Sequence, residues 1–285
     1  FHRDGGSFHR TVVGVARGGK FERVRTIDRR GGAGGVTADL TLVDDLTVEI
    51  DGIPYSKVID DNAVEFTYHS PDGKEGFPGN VDVTVVYRLT DRNELEINYK
   101  ATTDKDTIIN MTNHAYFNLN GYDNGDILAH TLTIDADFIT EVDENSIPTG
   151  NNISVDGTAF DFRSERVIGK DIDDSHIQLQ YTGGYDHNFC INSYDGSLKK
   201  IACAKGNLTG IEMNVYTDLP GVQFYAGNFL KGIKGKNGVP MEKRSGFCLE
   251  TQFYPDTPHN ASFPSCFYKA GEKYESETVY EFFAK

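Results

Sequence analysis

From Val81 to Leu89 every second position is apolar, with Val81, Val83, Val85, Tyr87 and Leu89 on one side. After Asp91-Arg92-Asn93 the rhythm resumes: Leu95, Ile97 and Tyr99 alternate with Glu94, Glu96, Asn98 and Lys100. A period of two marks a strand with one buried and one wet face, and two such runs around a polar turn predict an antiparallel hairpin. Residues 128–138 repeat the pattern, which predicts one strand carrying Leu132, Ile134, Ala136 and Phe138 on a common side. Residues 211–229, 246–253 and 278–283 also predict strands. Thirty glycines and frequent Asp and Asn supply the turns. No segment carries a sustained helical period with a cap, and residues 168–176 are expected to hold a turn of helix at most. Many strands joined by turns, with no βαβ alternation, predict an all-β chain: a large antiparallel β-sandwich or barrel. Neither a repeat nor a disordered linker divides residues 1–285, so a single domain is expected.

Composition narrows what such a sandwich can do. Charged residues make up 25% and apolar ones 38%, as in an ordinary globular protein. There is no run of about 18 apolar residues, so no membrane span is predicted. The start, FHRDGGSFHR, has no apolar core, so no secretory signal is expected. Cys190, Cys203, Cys248 and Cys266 are scattered without CxxC spacing, which argues against zinc or a disulfide framework and for reduced thiols in the cytoplasm. In that setting the sequons at Asn110, Asn152, Asn207 and Asn260 are chance matches. The net charge of −15 repels nucleic acid and anionic membranes and leaves a neutral small molecule as the expected partner. Charge is uneven: residues 1–38 hold seven Arg and one Lys against three acids, together with nine Gly. That segment alternates poorly and lacks the interleaved aromatics of a nucleic-acid arm, so it reads as an irregular edge.

Few residues carry candidate chemistry. If residues 108–119 form a strand, His114 shares a face with Thr112, Tyr116 and Asn118, a polar and aromatic setting suited to a ligand. An unperturbed imidazole titrates near 6.5, which suits a general acid, although a lone histidine is equally well a buried, hydrogen-bonded structural residue. Glu250 sits between Phe247-Cys248-Leu249 and Thr251-Gln252-Phe253. A carboxylate in an apolar strand is costly unless paired or functional, so Glu250 is either a general base or a strand residue turned to water. Asp186 and His187 are neighbours in a predicted strand, so only one of them can enter a given pocket, and Asp186 is suited to accept hydrogen bonds from sugar hydroxyls or to shape a turn after Gly183-Gly184. Gln223 and Asn228, in GVQFYAGNFL, are amides among aromatics that either orient a polyol or serve the strand. His69, His130, His176 and His259 are read as structural. There is no GxSxG, HExxH or phosphate loop, no His/Cys/carboxylate spacing for a metal, and Gly18-Gly19 and residues 31–35 lack the context of a dinucleotide site.

Taken together, NHAYFNLNG, GYDHNFC and LETQFYPDTPHN resemble the signature segments of the aldose 1-epimerase (galactose mutarotase) family. SPDGKEGFPGNVDVTVVY, GTAFDFR, PGVQFYAGNFL and YKAGEKYESETVYEF add to the likeness, which runs from about Asp61 to the end, some four-fifths of the chain. The resemblance implies a large β-sandwich with a shallow sugar cleft, no cofactor and no metal, acting on a free hexose such as galactose or glucose as a monomer or homodimer. It implies Glu250 as general base, His114 as general acid and Asp186 as a sugar-binding group, the acid and base flanking one cleft with room for a pyranose ring between them. The first 60 residues depart from the family pattern. An Asn-Arg-Ile-like segment is only echoed by TVVGVARGGKF, which makes Arg17 a candidate, and the Leu-His-Gly-Gly histidine has no counterpart. That gap keeps open a non-catalytic sugar-binding or regulatory protein on the same fold; a further alternative is an epimerase of hexose phosphates in a related branch, which would need a basic cleft.

Overall fold

A computed structural model describes the backbone of residues 40–44, 47–50, 53–235 and 238–284 and the side chains from Val58 on, 236 and 237 excepted. Arg17, the glycines at 18, 19 and 31–35, and the basic segment 1–38 lie outside the described residues. In chain order the strands are β1 (Leu40–Asp44), β2 (Thr47–Ile50), β3 (Ile53–Asp60), β4 (Ala63–Ser70), β5 (Val81–Leu89), β6 (Glu94–Thr103) and β7 (Thr107–Ile108). There follow β8 (Thr131–Ile134), β9 (Ala136–Val142), β10 (Pro148–Ser154), β11 (Arg166–Val167), β12 (Asp186–Ile191), β13 (Lys199–Lys205) and β14 (Ile211–Thr217). The last are β15 (Gly221–Tyr225), β16 (Ile233–Lys234), β17 (Pro240–Met241), β18 (Cys248–Gln252), β19 (Phe267–Tyr268) and β20 (Lys273–Ala284). The pairings between these strands are antiparallel, as the alternating pattern implies.

The described residues fall into two compact units: one runs up to Thr90 and adds Leu95–Ile109 and Phe267–Glu275, and the other holds Asp91–Glu94, Asn110–Cys266 and the residues from Ser276 on. In the first unit β1 to β6 form a meander, each strand pairing with the next. The predicted hairpin is its last pair, in register Val81↔Thr103, Val85↔Tyr99 and Leu89↔Leu95. Ile97, Tyr99, Ala101 and Thr103 are buried while Lys100 and Thr102 between them are exposed, so one face is wet.

The second unit layers two sheets, β20-β14-β13-β8-β11 and β10-β9-β12-β15-β18. Thr251 on β18 and Thr278 on β20 share a hydroxyl contact of 2.5 Å, and the Tyr280 hydroxyl donates to the Leu249 carbonyl at 2.7 Å, so side chains of one sheet tie down the backbone of the other. Phe162, Tyr185, Phe189 and Phe224 pack edge to face or stacked behind β12 and β15, with centroids 5.1–6.4 Å apart. Burying each such ring is worth roughly 1.5–3 kcal/mol, and offset or perpendicular rings add to it.

Two sequence expectations need correction. Residues 128–138 are not one strand: β8 and β9 belong to different sheets, separated at the exposed Asp135. Pairing with β12 runs Ile191↔Ala136 and then Cys190↔Phe138, which leaves Asp137 as an extra, bulged residue. A one-residue insertion flips every later side chain, so Phe138 is 45% exposed and Ile139 is buried. The second concerns helix. The turn expected within 168–176 is a short 3-10 turn at Ile168–Lys170, and the one α-helix among the described residues, α1 (Ile177–Thr182), begins just beyond it. His176 caps α1 by accepting from the Gln178 amide, and Gly183, at φ +66°, ends it.

Candidate active site

Strand register builds the site. Asn188 on β12 stands opposite Gln223 on β15, and Gln223 stands opposite Glu250 on β18. Opposed residues of an antiparallel pair project to the same face, and every second residue joins them. One face therefore carries Asp186, Asn188, Gln223, Tyr225, Cys248, Glu250 and Gln252. The residues between them, His187, Phe189, Val222, Phe224, Leu249 and Thr251, form the opposite, core-facing side, and all six are buried.

The polar face is internally bonded. Gln223 Nε2 donates to Asp186 Oδ1 at 2.9 Å, Gln252 Nε2 donates to Gln223 Oε1 at 3.2 Å and to Asn188 Oδ1 at 3.3 Å, and Asn188 Nδ2 donates to Thr140 Oγ1 at 2.9 Å. Such a network leaves amides and a carboxylate aimed one way with their rotamers set. Gly221 makes the approach possible, because a Cβ there would sit 2.4 Å from Asn188 Oδ1.

His114 reaches this face from another segment. Residues 110–116 form no strand, contrary to the expected one, yet they run antiparallel along the free edge of β18, fixed at both ends. Phe117 exchanges backbone hydrogen bonds with Phe247 at 2.8 and 3.0 Å, and the Asn110 amide bonds both backbone groups of Phe253 at 2.9 Å each. Counting three residues inward from the Phe117–Phe247 bridge sets His114 opposite Glu250. The side chains meet there: His114 Nε2 lies 3.2 Å from Glu250 Oε1. On the other edge of the ring, Nδ1 lies 3.2 Å from Cys248 Sγ. Tyr116 and Tyr225 flank the imidazole at centroid distances of 4.9 and 5.9 Å.

Burial assigns what each group can do. Glu250 is 1% exposed, so its carboxylate has left water and needs a polar partner, which the imidazole provides. The His114 side chain keeps 13% of its surface open, so the pair meets solvent through the ring. Two histidines of this unit, His130 and His187, are fully buried. Burial lowers His187 to about 3 and His130 to about 4, below the ordinary histidine value, so both stay neutral. His130 Nε2 accepts from the Leu119 amide at 3.0 Å and His187 Nδ1 accepts from the Asp186 amide at 3.3 Å, the role of an unprotonated ring. Asp186 and His187 do face opposite ways, and Asp186 is the one on the polar face.

His114, Cys248 and Glu250 each present one donor atom within 4.8 Å of the others, the one such group among the described residues. Sequence spacing did not show it, because the fold brings the histidine from far away. In this arrangement the two ring nitrogens serve different partners, so the three groups form a hydrogen-bonded chain rather than donors converging on a point.

Asn228 is committed elsewhere. It is buried, and its amide donates to the Tyr185 carbonyl at 2.9 Å and the Thr182 carbonyl at 3.4 Å, bracing the turn that leads into Asp186. Buried Arg244 braces the same turn, reaching the Gly183 carbonyl at 3.4 Å while pairing in two bonds with Asp173, whose carboxyl it holds below the usual range. Sequence reasoning missed Cys248 and Gln252. Their signal was present, since both lie two residues from Glu250 in a predicted strand and so share its face.

Comparison with known proteins returns one consistent answer. The family profile described as aldose 1-epimerase matches residues 51–281. Bovine galactose mutarotase is 47% identical over 224 residues, covering 78% of this chain and 63% of the relative. Aldose 1-epimerase of Escherichia coli K12 is 43% identical over 230 residues, covering 79% and 65%. The chain thus spans somewhat less than two thirds of the length of these curated relatives. Among solved structures, an aldose epimerase homologue from C. elegans superposes with a TM-score of 0.69 at 31% identity, over 82% of this chain and 70% of that one. Galactose 1-epimerase from Lactobacillus acidophilus gives a TM-score of 0.69 at 26% identity, over 89% and 75%.

Proposed function

The chain belongs to the aldose 1-epimerase family, and from that premise we propose that it interconverts the α and β anomers of free hexoses such as galactose and glucose, with Glu250 as general base and His114 as general acid. The observation that carries the reading is the contact of those two groups on one polar sheet face, with Nε2 and Oε1 3.2 Å apart. It also revises the expected layout, because the pair does not stand a ring's width apart. The chemistry agrees with the closer spacing: the hydroxyl oxygen and the ring oxygen are bonded to the same anomeric carbon, so groups serving them act as near neighbours.

In the forward step Glu250 takes the proton of the anomeric hydroxyl. The electron pair of that O–H forms the C1=O1 double bond, the bond from C1 to the ring oxygen breaks, and the ring oxygen takes a proton from His114 Nε2. Half a turn about C1–C2 presents the other aldehyde face. Ring closure then reverses each transfer, His114 accepting and Glu250 donating, so both groups end as they began. Acid/base assistance of this kind is worth ~10²–10⁴-fold. The desolvated carboxylate of Glu250 and the partly open ring of His114 suit these roles.

Asp186 and Gln223, bonded to each other on the same face, are positioned to receive sugar hydroxyls. Asn228 supports them through the turn before Asp186, and Arg17 is proposed as a further binding group. The substrate is a monosaccharide, the protein a monomer or homodimer of the cytoplasm. None of the described helices is long and apolar enough to cross a membrane. Polarimetry of freshly dissolved α-D-galactose tests the proposal. Faster decay of rotation than in buffer, at micromolar protein, is expected. An unchanged decay together with saturable galactose binding would select a sugar-binding protein instead.

A further inference from the structure

We propose that Cys248 is a positioning residue of this site: its thiol donates to His114 Nδ1 and so keeps the ring proton on Nε2, the nitrogen that faces Glu250. The catalytic consequence rests on the acid/base reading above, whereas the tautomer itself does not.

The geometry supplies the first part. Cys248 and Glu250 are two residues apart on β18 and therefore on one face, and His114 lies across both, with Nδ1 3.2 Å from Sγ and Nε2 3.2 Å from Oε1. The thiol is fully buried, so water does not compete for this contact. The alignment is also fixed from behind, since the Leu249 carbonyl is held by Tyr280 and Thr251 by Thr278.

Chemistry supplies the second part. A neutral imidazole carries one N–H and one acceptor nitrogen, and the partner of one decides the state of the other. With the ring and the thiol both neutral, two arrangements satisfy the chain. In the first, S–H donates to Nδ1 and Nε2–H donates to the Glu250 carboxylate. In the second, Nδ1–H donates to sulfur and a protonated Glu250 donates to Nε2. Sulfur is a weak acceptor and an imidazole nitrogen a good one, while N–H to carboxylate is charge-assisted. The first arrangement makes the better bond at both ends. It also leaves Glu250 without its proton, as the base role requires, and sets the ring N–H on the side that faces Glu250. The second would leave both in the wrong state.

A cysteine that merely fills space would do none of this, and two variants separate the cases. Cys248→Ala removes the donor with a small loss of volume, and Cys248→Ser keeps an O–H donor on a shorter arm. The full chain, ¹⁵N-labelled, is studied by long-range ¹H–¹⁵N correlation of the His114 ring, well above the ordinary histidine pKa. Wild type is expected to show a proton on Nε2 and a bare Nδ1, Cys248→Ser the same pattern, and Cys248→Ala a shift toward the other tautomer. In polarimetry kcat should fall about tenfold in Cys248→Ala, the worth of one such hydrogen bond, with KM little changed and most of the loss recovered in Cys248→Ser. Cys203→Ser, on β13 in the other sheet, serves as the control thiol. A wild-type proton on Nδ1 would overturn the proposal. So would an Ala variant with the native tautomer, or a Ser variant no better than Ala. If wild type shows no turnover at all, the assigned reaction falls while the ring spectra still decide the role of Cys248.

Discussion

The two faces of the β12-β15-β18 sheet differ in kind, one polar and one apolar, although their residues alternate along the same strands. One face holds Asp186, Asn188, Gln223 and Gln252, joined by hydrogen bonds from side chain to side chain, and beside them Glu250, which meets His114. The other holds the buried Phe189, Val222, Phe224 and Leu249, with Phe189 and Phe224 packed against the ring of Phe162. The same backbone thus carries an apolar packing layer and, one residue apart, the polar layer to which the proposed chemistry is assigned. Neighbouring positions such as Asp186 and His187, or Leu249 and Glu250, should accordingly fail in different ways when changed: on the aromatic side the loss is of folding free energy, and on the polar side it is of rate or affinity.

The sharpest contrast is His114→Asn against Phe224→Ala. His114→Asn is expected to lower kcat ~10²–10⁴-fold in polarimetry, with a urea midpoint that falls because buried Glu250 loses its ring partner but falls less than that of Phe224→Ala. Phe224→Ala is expected to cost about 3–5 kcal/mol in urea denaturation, with the folded protein keeping a near-native KM. A large loss of stability in the first, or of affinity in the second, would blur the division between the faces.

The next effect is on pH. His187 and His130 are neutral in the folded chain down to about 3 and about 4, but both take up a proton near the ordinary histidine pKa once unfolded. Their contribution to stability is therefore fully present above that value. It is lost as pH falls toward the folded values, by up to ~1.4 kcal/mol per pH unit for each ring. Urea midpoints measured on either side of the ordinary histidine pKa should fall on acidification, and a flat profile would mean that these rings are not held neutral. The smallest expected effect belongs to Asp186→Ala, which removes the acceptor of Gln223 Nε2. KM should rise about tenfold with kcat less affected, as initial rates over a range of galactose concentrations would show.

Much of this division could be read from the chain before any coordinates. Alternation located the β5–β6 hairpin, and the same rule set Asp186 and His187 on opposite faces. It failed at residues 128–138, because the apolar rhythm continues through Asp135 while the chain changes sheet, and the Asp137 bulge then inverts it. It failed again at residues 110–116, where His114 is placed by two end anchors rather than by a strand. The partners of His114 were hidden for a related reason: Cys248 looked like one scattered thiol until the segment carrying His114 was laid along β18. Asn228 shows the converse, an amide whose aromatic company suggested sugar contact but whose hydrogens go to the Thr182 and Tyr185 carbonyls.

The proposed division of labour stands or falls on Glu250, the buried carboxylate of the polar face. The deciding measurement is the decay of optical rotation of α-D-galactose with wild type and with Glu250→Gln, at equal concentrations of folded protein. Wild type is predicted to accelerate the decay in proportion to protein concentration, and Glu250→Gln to leave it at the rate of buffer. Equal acceleration by both proteins would contradict the assignment of Glu250 as the base.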